Sequence, residues 1–357
     1  MLGPPGSPRS SDPLVSVLVN SYVRTAFLRE AFDSVMAQTG AAPFEVVLMT
    51  ALKDPPFLDE FQQKAGAAGI DFHSVRVSPT PVGGLARGVE SARGEVIAIL
   101  DDDDLWEPHK VATVQRTFAE DSTVGFFHNG QTFVDRYNQP ISRWSPHRLI
   151  RHRSSRLPEG RIVRMVPEDS KAARQLIDCE AMFNNSSISF RRSILDARMP
   201  IFEQLGGGDD SFLFFCALAS RATIVATTRR LTRYRLHPFA ATAAGGQKDF
   251  AGRLTDYALF LARHVERVDL CQRIPPGPLP RTAGSMLRRD LAQQRLLRTA
   301  IEGDVPGISV ARETGVLFES DGFSPSVVDL FAIGLGLCSR ASRKLTRAAF
   351  LAWRMAW

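Results

Sequence analysis

An alternation of two hydrophobic periods along the first third of the chain constrains the fold most strongly. From Pro13, "PLVSVLVNSY" is an apolar, β-branched run of strand length. "RTAFLREAFDSVMAQTG" follows, with Phe27, Leu28, Ala31, Phe32, Val35 and Met36 at helical spacing and a stop at Gly40. The pair of patterns then repeats: "PFEVVLMT" and "DEFQQKAGAAG", "IDFHSVRVS" and "GGLARGVESARG", and last "EVIAILDDDD". Strands that alternate with helices predict parallel pairing through right-handed crossovers, with ligands bound where the strands' carboxyl ends meet loops. A chain of 357 residues, 44% apolar, is long enough for one large α/β domain with an appendage.

Farther along, "EPHKVATVQRTFAED" reads as a helix with Pro108 near its first turn, and "VGFFHNGQTFVD" as a strand. "NNSSISFRRSIL" predicts a strand and then a helix, "GGGDDSFLFFCALASR" a glycine-rich turn opening a helix, and "ATIVATTRRLTRYRLHP" two further strands. The stretch 143–164 shows little periodicity and is expected to be an irregular excursion. Residues 248–302 are expected to be largely helical, broken by "IPPGPLP" at 274–280. There is no internal repeat. These patterns divide the chain into a flexible leader, 1–12, an α/β domain, 13–245, and a helical C-terminal region, 246–357.

Charge adds expectations about partners. The formal net charge is +6, with excess Arg and His in "RWSPHRLIRHRSSRLPEGRIVR" and a second basic run, "CSRASRKLTRAAFLAWRMAW", at the end. Such surfaces suit substrate phosphates, an anionic membrane or nucleic acid, or are simply solvated faces. Aromatic residues are sparse among the arginines of the first run, so no nucleic-acid partner is expected. The apolar segment Val327 to Leu337 is too short to span a bilayer, and the basic stretch 338–357 with Trp353 and Trp357 suits an anionic membrane surface or packing on the domain. The leader lacks the apolar centre of a secretory signal, so residence in the cytoplasm is expected, peripheral at the inner face of the membrane where 327–357 engages it. Cys179, Cys216, Cys271 and Cys338 are scattered and read as reduced, mostly buried thiols.

Asp101, Asp102, Asp103 and Asp104 end an apolar strand. Adjacent carboxylates repel unless they are solvated or a cation sits among them. Hard oxygens at a loop suit Mg²⁺ or Mn²⁺, which bind through one or two carboxylates plus substrate phosphates. A calcium loop would need more ligands at alternating positions and a mid-loop glycine. A second pair, Asp209 and Asp210, follows three glycines. A carboxylate at a helix start can accept a proton from a hydroxyl nucleophile, or can merely cap the helix.

The segments "VSVLVNSYVRTAFLREAFDSVMAQT", "FEVVLM", "GGLARGVESARGEVIAILDDDDLWEPHKV", "SSISFRRSIL", "GGGDDSFLFFCAL" and "YRLHP" stand in the order and approximate spacing of the family 2 glycosyltransferases. Over residues 13–240 the chain resembles that family, most specifically in the aspartate run followed by Leu, Trp, Pro and Lys. The resemblance implies a GT-A fold, a mostly parallel sheet flanked by helices. It also implies inverting transfer of a sugar from a nucleotide-diphosphate donor, with a divalent metal, Mn²⁺ or Mg²⁺, on the diphosphate.

By the same resemblance, the D-x-D motif falls on Asp101 and Asp103, with Asp104 as the following acid, and the metal is expected among Asp101, Asp103, Asp104 and His237. Asp103 is the expected metal ligand, Asp101 contacts the donor ribose or a metal-bound water, and Asp102 lies with the donor. The acidic pair that supplies the general base falls on Asp209 and Asp210, with Asp210 favoured. The "YRLHP" segment is similar to one that closes over the diphosphate, so Arg235 or His237 is expected to neutralise or ligate it. Asn20 and Tyr22, with Gly84 and Arg87, should line the nucleotide pocket. One departure stands out: the acidic turn that ends the family's second strand and reads the base is replaced by "VVLMTALKDPP", with Thr50 at about that position. The expected acceptor is a glycan or lipid-linked hydroxyl in envelope or polysaccharide synthesis. Competing readings are a nucleotidyltransferase and a degenerate domain kept for membrane or glycan binding. The nucleotidyltransferase usually wants a glycine-rich basic loop that "LVNSYVRTAFL" lacks.

Overall fold

The structure, a computed structural model, describes residues 14–21, 25–53, 55–78, 83–142, 157–166, 172, 175–176, 179, 181–205, 208–237, 281–302 and 308–319. The leader, Tyr22, most of the basic excursion, the expected boundary near 245, the "IPPGPLP" break, Cys271, Cys338 and the whole of 327–357 lie outside the described residues.

The alternating segments form strands and helices where the periodicity places them: β1 (Val15–Asn20), α1 (Leu28–Met36), β2 (Glu45–Thr50), α2 (Leu58–Ala67), β3 (Asp71–Arg76), α3 (Gly84–Ser91) and β4 (Val96–Asp101). All four strands run parallel, in the order β3-β2-β1-β4. Their side chains separate with the period of 2 that a strand imposes. Leu18, Val47, Met49, Ile97 and Ile99 enter one core, while Val17, Val19, Val46, Leu48, Ala98 and Leu100 enter another on the opposite face. Two covered faces explain why these strands read as continuous apolar runs. Helix α1 buries Leu28, Ala31, Phe32 and Val35. Phe32 stacks on Phe61 of α2 with ring centroids 3.9 Å apart. Removing each such ring from water contributes about 1.5–3 kcal/mol.

Beyond β4 the sheet becomes mixed. A two-residue strand, β5 (Leu105–Trp106), precedes α4 (Lys110–Glu120), β6 (Val124–Val134), β7 (Ile162–Met165) and β8 (Ile188–Arg191). Short α5 (Met199–Phe202), then α6 (Asp209–Ala219), lead to β9 (Thr223–Arg235). The full order is β3-β2-β1-β4-β8-β6-β9-β5, with β7 also on β9. Strand β8 is antiparallel to both β4 and β6.

Three expectations change here. The segment expected to hold two strands is one continuous strand, β9, whose register on β6 jumps from Asn129↔Thr227 to Gly130↔Arg230. A bulge takes the place of a turn: a Cβ on Gly130 would lie 2.7 Å from the Thr228 carbonyl oxygen, so glycine lets the two backbones meet. The bulge also divides β9 between partners, β7 along its first half and β5 along its second. Part of the supposed irregular excursion is therefore strand β7, too short for its alternation to show. After β8 the chain makes a turn of 3₁₀ helix over Arg192–Leu195 rather than an α-helix.

Two C-terminal helices, α7 (Arg281–Glu302) and α8 (Val310–Glu319), pack on each other, and α7 packs on α6. Leu291 of α7 joins the core that holds Phe212, Phe214 and Phe215. The C-terminal helices thus extend the core of the α/β domain.

Candidate active site

The carboxyl ends of β1 and β4 lie side by side because the register pairs Asn20 with Asp101. Asn20 Nδ2 donates to Asp101 Oδ1 at 2.9 Å, which fixes that carboxylate where the sheet opens. The chain then turns through Asp102, Asp103 and Asp104, closed by the Asp104 amide donating to the Asp101 carbonyl at 3.2 Å. The four carboxylates do not share one environment. Asp102 and Asp104 are buried, whereas Asp101 and Asp103 are half-buried and closer to solvent. Burial, reinforced by the charges of Asp103 and Asp101, holds the Asp104 carboxyl well above its ordinary pKa, although its Oδ1 accepts the Arg235 amide at 2.9 Å. A proton on Asp104 would relieve part of the repulsion the sequence implies.

Arg235 ends β9 directly behind this turn. Its side chain is 0% exposed, and each of its three guanidinium nitrogens is engaged. Nε donates to the Asp103 carbonyl at 2.9 Å, Nη1 to the Arg136 carbonyl at 3.0 Å and Nη2 to Glu30 Oε2 at 2.7 Å. The guanidinium also lies over the Phe27 ring, 4.3 Å from its centroid. Of the two residues expected at the diphosphate, Arg235 thus has its guanidinium nitrogens committed to the protein, its planar fork bracing the aspartate turn against α1. Glu30, Phe27 and Arg136 had no signal in the sequence, because contacts across 99 positions, as to Arg136, or 205, as to Glu30, leave no local pattern.

His237, two residues on, does face the aspartates. Its Nε2 lies 3.1 Å from Asp103 Oδ2, and its ring sits 4.9 Å from that of Phe27. Among the described residues no three metal-ligating side chains converge. The chemistry of the pair nonetheless fits a divalent ion completed by phosphate. Neighbouring ligands of an octahedral ion with bonds of about 2.1 Å sit about 3.0 Å apart, close to this separation. Asp103 and His237 are the residues that would hold such an ion, with Asp101 beside them.

Asp209 and Asp210 open α6 as expected. Asp209 is buried; Asp210 is half-buried, and its carboxylate accepts the Ser211 amide at 2.8 Å and the Asn184 amide at 3.3 Å. Asn184 introduces a turn of 3₁₀ helix, Asn185–Ser187, in which Ser186 Oγ accepts the Asp101 amide at 3.0 Å. One short turn thus touches both acidic clusters. The doubled asparagine in "NNSS" was the available signal for it, since Asn184 has φ +71°, a left-handed value that Asn tolerates better than most residues.

Behind that turn lies a buried polar network. Lys110 is fully buried, donates to Asn129 Oδ1 and to the Ser187 carbonyl at 3.4 Å, and lies 5.4 Å from the ring centroids of both Trp106 and Phe127. Burial pushes its amine well below the usual lysine pKa. Nearby His128 is pushed down to about 4 by burial, with Lys110 adding repulsion against a hydrogen bond to the Phe183 carbonyl.

The remaining expected residues sit apart from these contacts. Thr50, at the end of β2, is buried and its hydroxyl accepts the Leu52 amide at 3.2 Å. Gly84 is buried in the first turn of α3, after Gly83 at φ +69°, where a Cβ would meet the Glu203 carbonyl oxygen at 3.0 Å. Arg87 points to solvent, paired with Glu90 at 3.0 Å.

A parallel half-sheet with acids at its carboxyl ends, joined through an antiparallel strand to a second acidic pair on a helix start, is the architecture of the GT-A nucleotide-sugar transferases. Residues 16–187 match the glycosyl transferase family 2 model. An uncharacterized glycosyltransferase of Nostoc sp. is 30% identical over 116 residues, 32% of this chain and 36% of that relative's length. The fold is similar to S. aureus TarS 1-349 in complex with UDP-GlcNAc (TM-score 0.58, 12% identity, 96% of this chain and 92% of that one). It is also similar to the mannosyltransferase PcManGT from Pyrobaculum calidifontis in complex with GDP-Man and Mn²⁺ (TM-score 0.52, 16% identity, 98% and 89% covered).

Proposed function

We propose that the protein is an inverting glycosyltransferase that moves a sugar from a nucleotide-diphosphate donor to the hydroxyl of a glycan or lipid-linked acceptor. The observation that carries this reading is that one short turn, Asn184–Ser187, is bonded to two unlike acidic sites: the aspartate run, where Asp103 lies beside His237, and Asp210. Inversion requires the acceptor oxygen to attack opposite the departing diphosphate, so the base and the diphosphate-binding group must be separate. Asp210, half-exposed and held by two backbone amides, is suited to take the acceptor proton. Asp103 and His237 hold the diphosphate end, with Asn20 orienting Asp101 toward the ribose. A divalent ion bound there would stabilise the leaving diphosphate.

The mixed carboxylate and imidazole donor set suits Mn²⁺ more than Mg²⁺, which prefers oxygen throughout. Base recognition is assigned to the ends of β1 and β2 around Thr50. On this reading 13–245 is the transferase domain, and the region 246–357 brings a basic end to an anionic membrane at the cytoplasmic face. The competing nucleotidyltransferase and binding-module readings predict different products. Thermal-shift and donor-hydrolysis measurements with UDP-, GDP- and dTDP-sugars, in Mn²⁺, Mg²⁺ or EDTA, test the proposal. Metal-dependent stabilisation by one sugar nucleotide with release of the nucleoside diphosphate is the expected result. Pyrophosphate release, or no response to any donor, overturns it.

A further inference from the structure

We infer that the Asn184–Ser187 turn is a strut that fixes the aspartate turn and Asp210 relative to each other, and that buried Lys110 is the positioning residue that holds it. The inference rests on the reading of Asp210 as the base. Ser186 Oγ receives the Asp101 amide and the Asn184 amide reaches Asp210, so two residues of backbone set the spacing of the two acidic sites.

That backbone is not self-supporting. Asn184 holds φ +71°, and such a conformation in a residue other than glycine persists only when its surroundings over-determine it. Its own side chain braces the turn, accepting the Ser186 amide at 3.1 Å and donating to Ser187 Oγ at 3.3 Å. The turn's carbonyls are held from behind. Ser186 O accepts Trp106 Nε1 at 2.7 Å and the Thr232 hydroxyl at 3.0 Å, and Ser187 O accepts Lys110 Nζ. Lys110 also grips Asn129, whose Nδ2 donates to Thr232 Oγ1 at 3.0 Å, closing a ring of bonds around the turn.

Lysine is an expensive choice for this slot. Among the described residues no carboxylate pairs with Lys110, and burying an ammonium without one is unfavourable, whereas methionine would fill the same volume without desolvation. What lysine supplies and methionine lacks is N–H donors, and they are aimed at the turn. Lys110 contacts neither acidic site, so its effect on chemistry would pass through the strut.

Two variants test this. Lys110→Met keeps the apolar stem and removes the donors. Asn184→Gly keeps the amide facing Asp210 and the left-handed backbone but removes the side-chain brace, and it serves if Lys110→Met fails to fold. The first readout needs no activity: in folded variants the amides of Asp101 and Asn184 should exchange with deuterium about tenfold faster, with those of β1 and β2 unchanged. The second is hydrolysis of UDP-GlcNAc and GDP-mannose with Mn²⁺, where kcat should fall up to about 100-fold while donor KM stays within about threefold. Unchanged exchange at both amides in both variants overturns the strut. Loss of kcat and donor affinity in proportion to lost folded protein shows that Lys110 acts only on stability and also overturns it. Asp210→Asn is the separate control: if that enzyme keeps its activity the base assignment fails, whatever the exchange result.

Discussion

At the scale of single residues, the four aspartates separate into environments that their identical side chains conceal. Asp103 and Asp101 stay near solvent, Asp104 is buried with a raised pKa, and Arg235 fixes the turn through the Asp103 carbonyl. Asp103→Ala should weaken metal-dependent donor binding, read by titration with and without EDTA. Asp210→Asn should retain donor binding and lose about 100- to 10,000-fold in turnover, the usual range for a general base; near-normal turnover would exclude that role. Arg235→Met should act on the fold first. It strands the Asp103 and Arg136 carbonyls and the Glu30 contact, and should lower stability by about 2–4 kcal/mol in denaturant titrations. A variant of full stability with weakened donor binding would instead return Arg235 to the diphosphate. Asp101 to Asp104, Asp209 and Asp210 were readable because acids after an apolar strand or a glycine turn violate local patterning. Lys110 stood in plain view after the aspartates, but a lysine opening a helix reads as solvated until its surroundings are known.

At the scale of elements, β1 to β4 and α1 to α4 were legible because each satisfies its own period over six residues or more. Strands β5 and β7 were not, since two and four residues carry too little periodicity. The bulge in β9 shows the converse: a long strand looked like two because its partner changes midway. Gly130→Ala should destabilise the protein by about 1–3 kcal/mol, because the added methyl meets the Thr228 carbonyl. Gly66→Ala, in the last turn of α2 with nothing within 4 Å of the new methyl, should stabilise it by about 0.4–1 kcal/mol. Chemical denaturation of the two variants checks both signs, and a neutral Gly130→Ala would mean that the bulge relaxes freely.

At the scale of the whole molecule, buried titratable groups tie stability to pH. His128 is neutral in the fold, with a pKa near 4 against 6.5 unfolded, so the unfolded chain binds the extra proton first. Its contribution is fully present above about pH 6.5 and is lost as pH falls toward 4, with a slope of about 1.4 kcal/mol per pH unit inside that window. His128→Gln should flatten the acid limb of unfolding free energy measured from pH 7 to 5; an unaltered slope would mean that other groups dominate. A further prediction concerns the basic end of the chain, which lies outside the described residues. Deleting 338–357 should shift the protein from membrane to soluble fractions, and unchanged fractionation would remove the tail as an anchor. Among the described residues no helix is long and apolar enough to cross a membrane.

The sequence by itself determined which segments alternate, where the sheet's acids fall, and the family model that residues 16–187 match, because these depend on periodicity and on short runs of residues. Tertiary structure alone decided that the sheet turns antiparallel at β8, that Arg235 faces inward, and that Asn184 and Ser186 stand between the two acidic sites. The physical reason is the range of the interactions. Strand and helix periods act between neighbours in sequence, whereas the hydrogen bonds that place Asp101 beside Ser186, or Glu30 beside Arg235, close loops of 85 and 205 residues and exist only once the cores have formed.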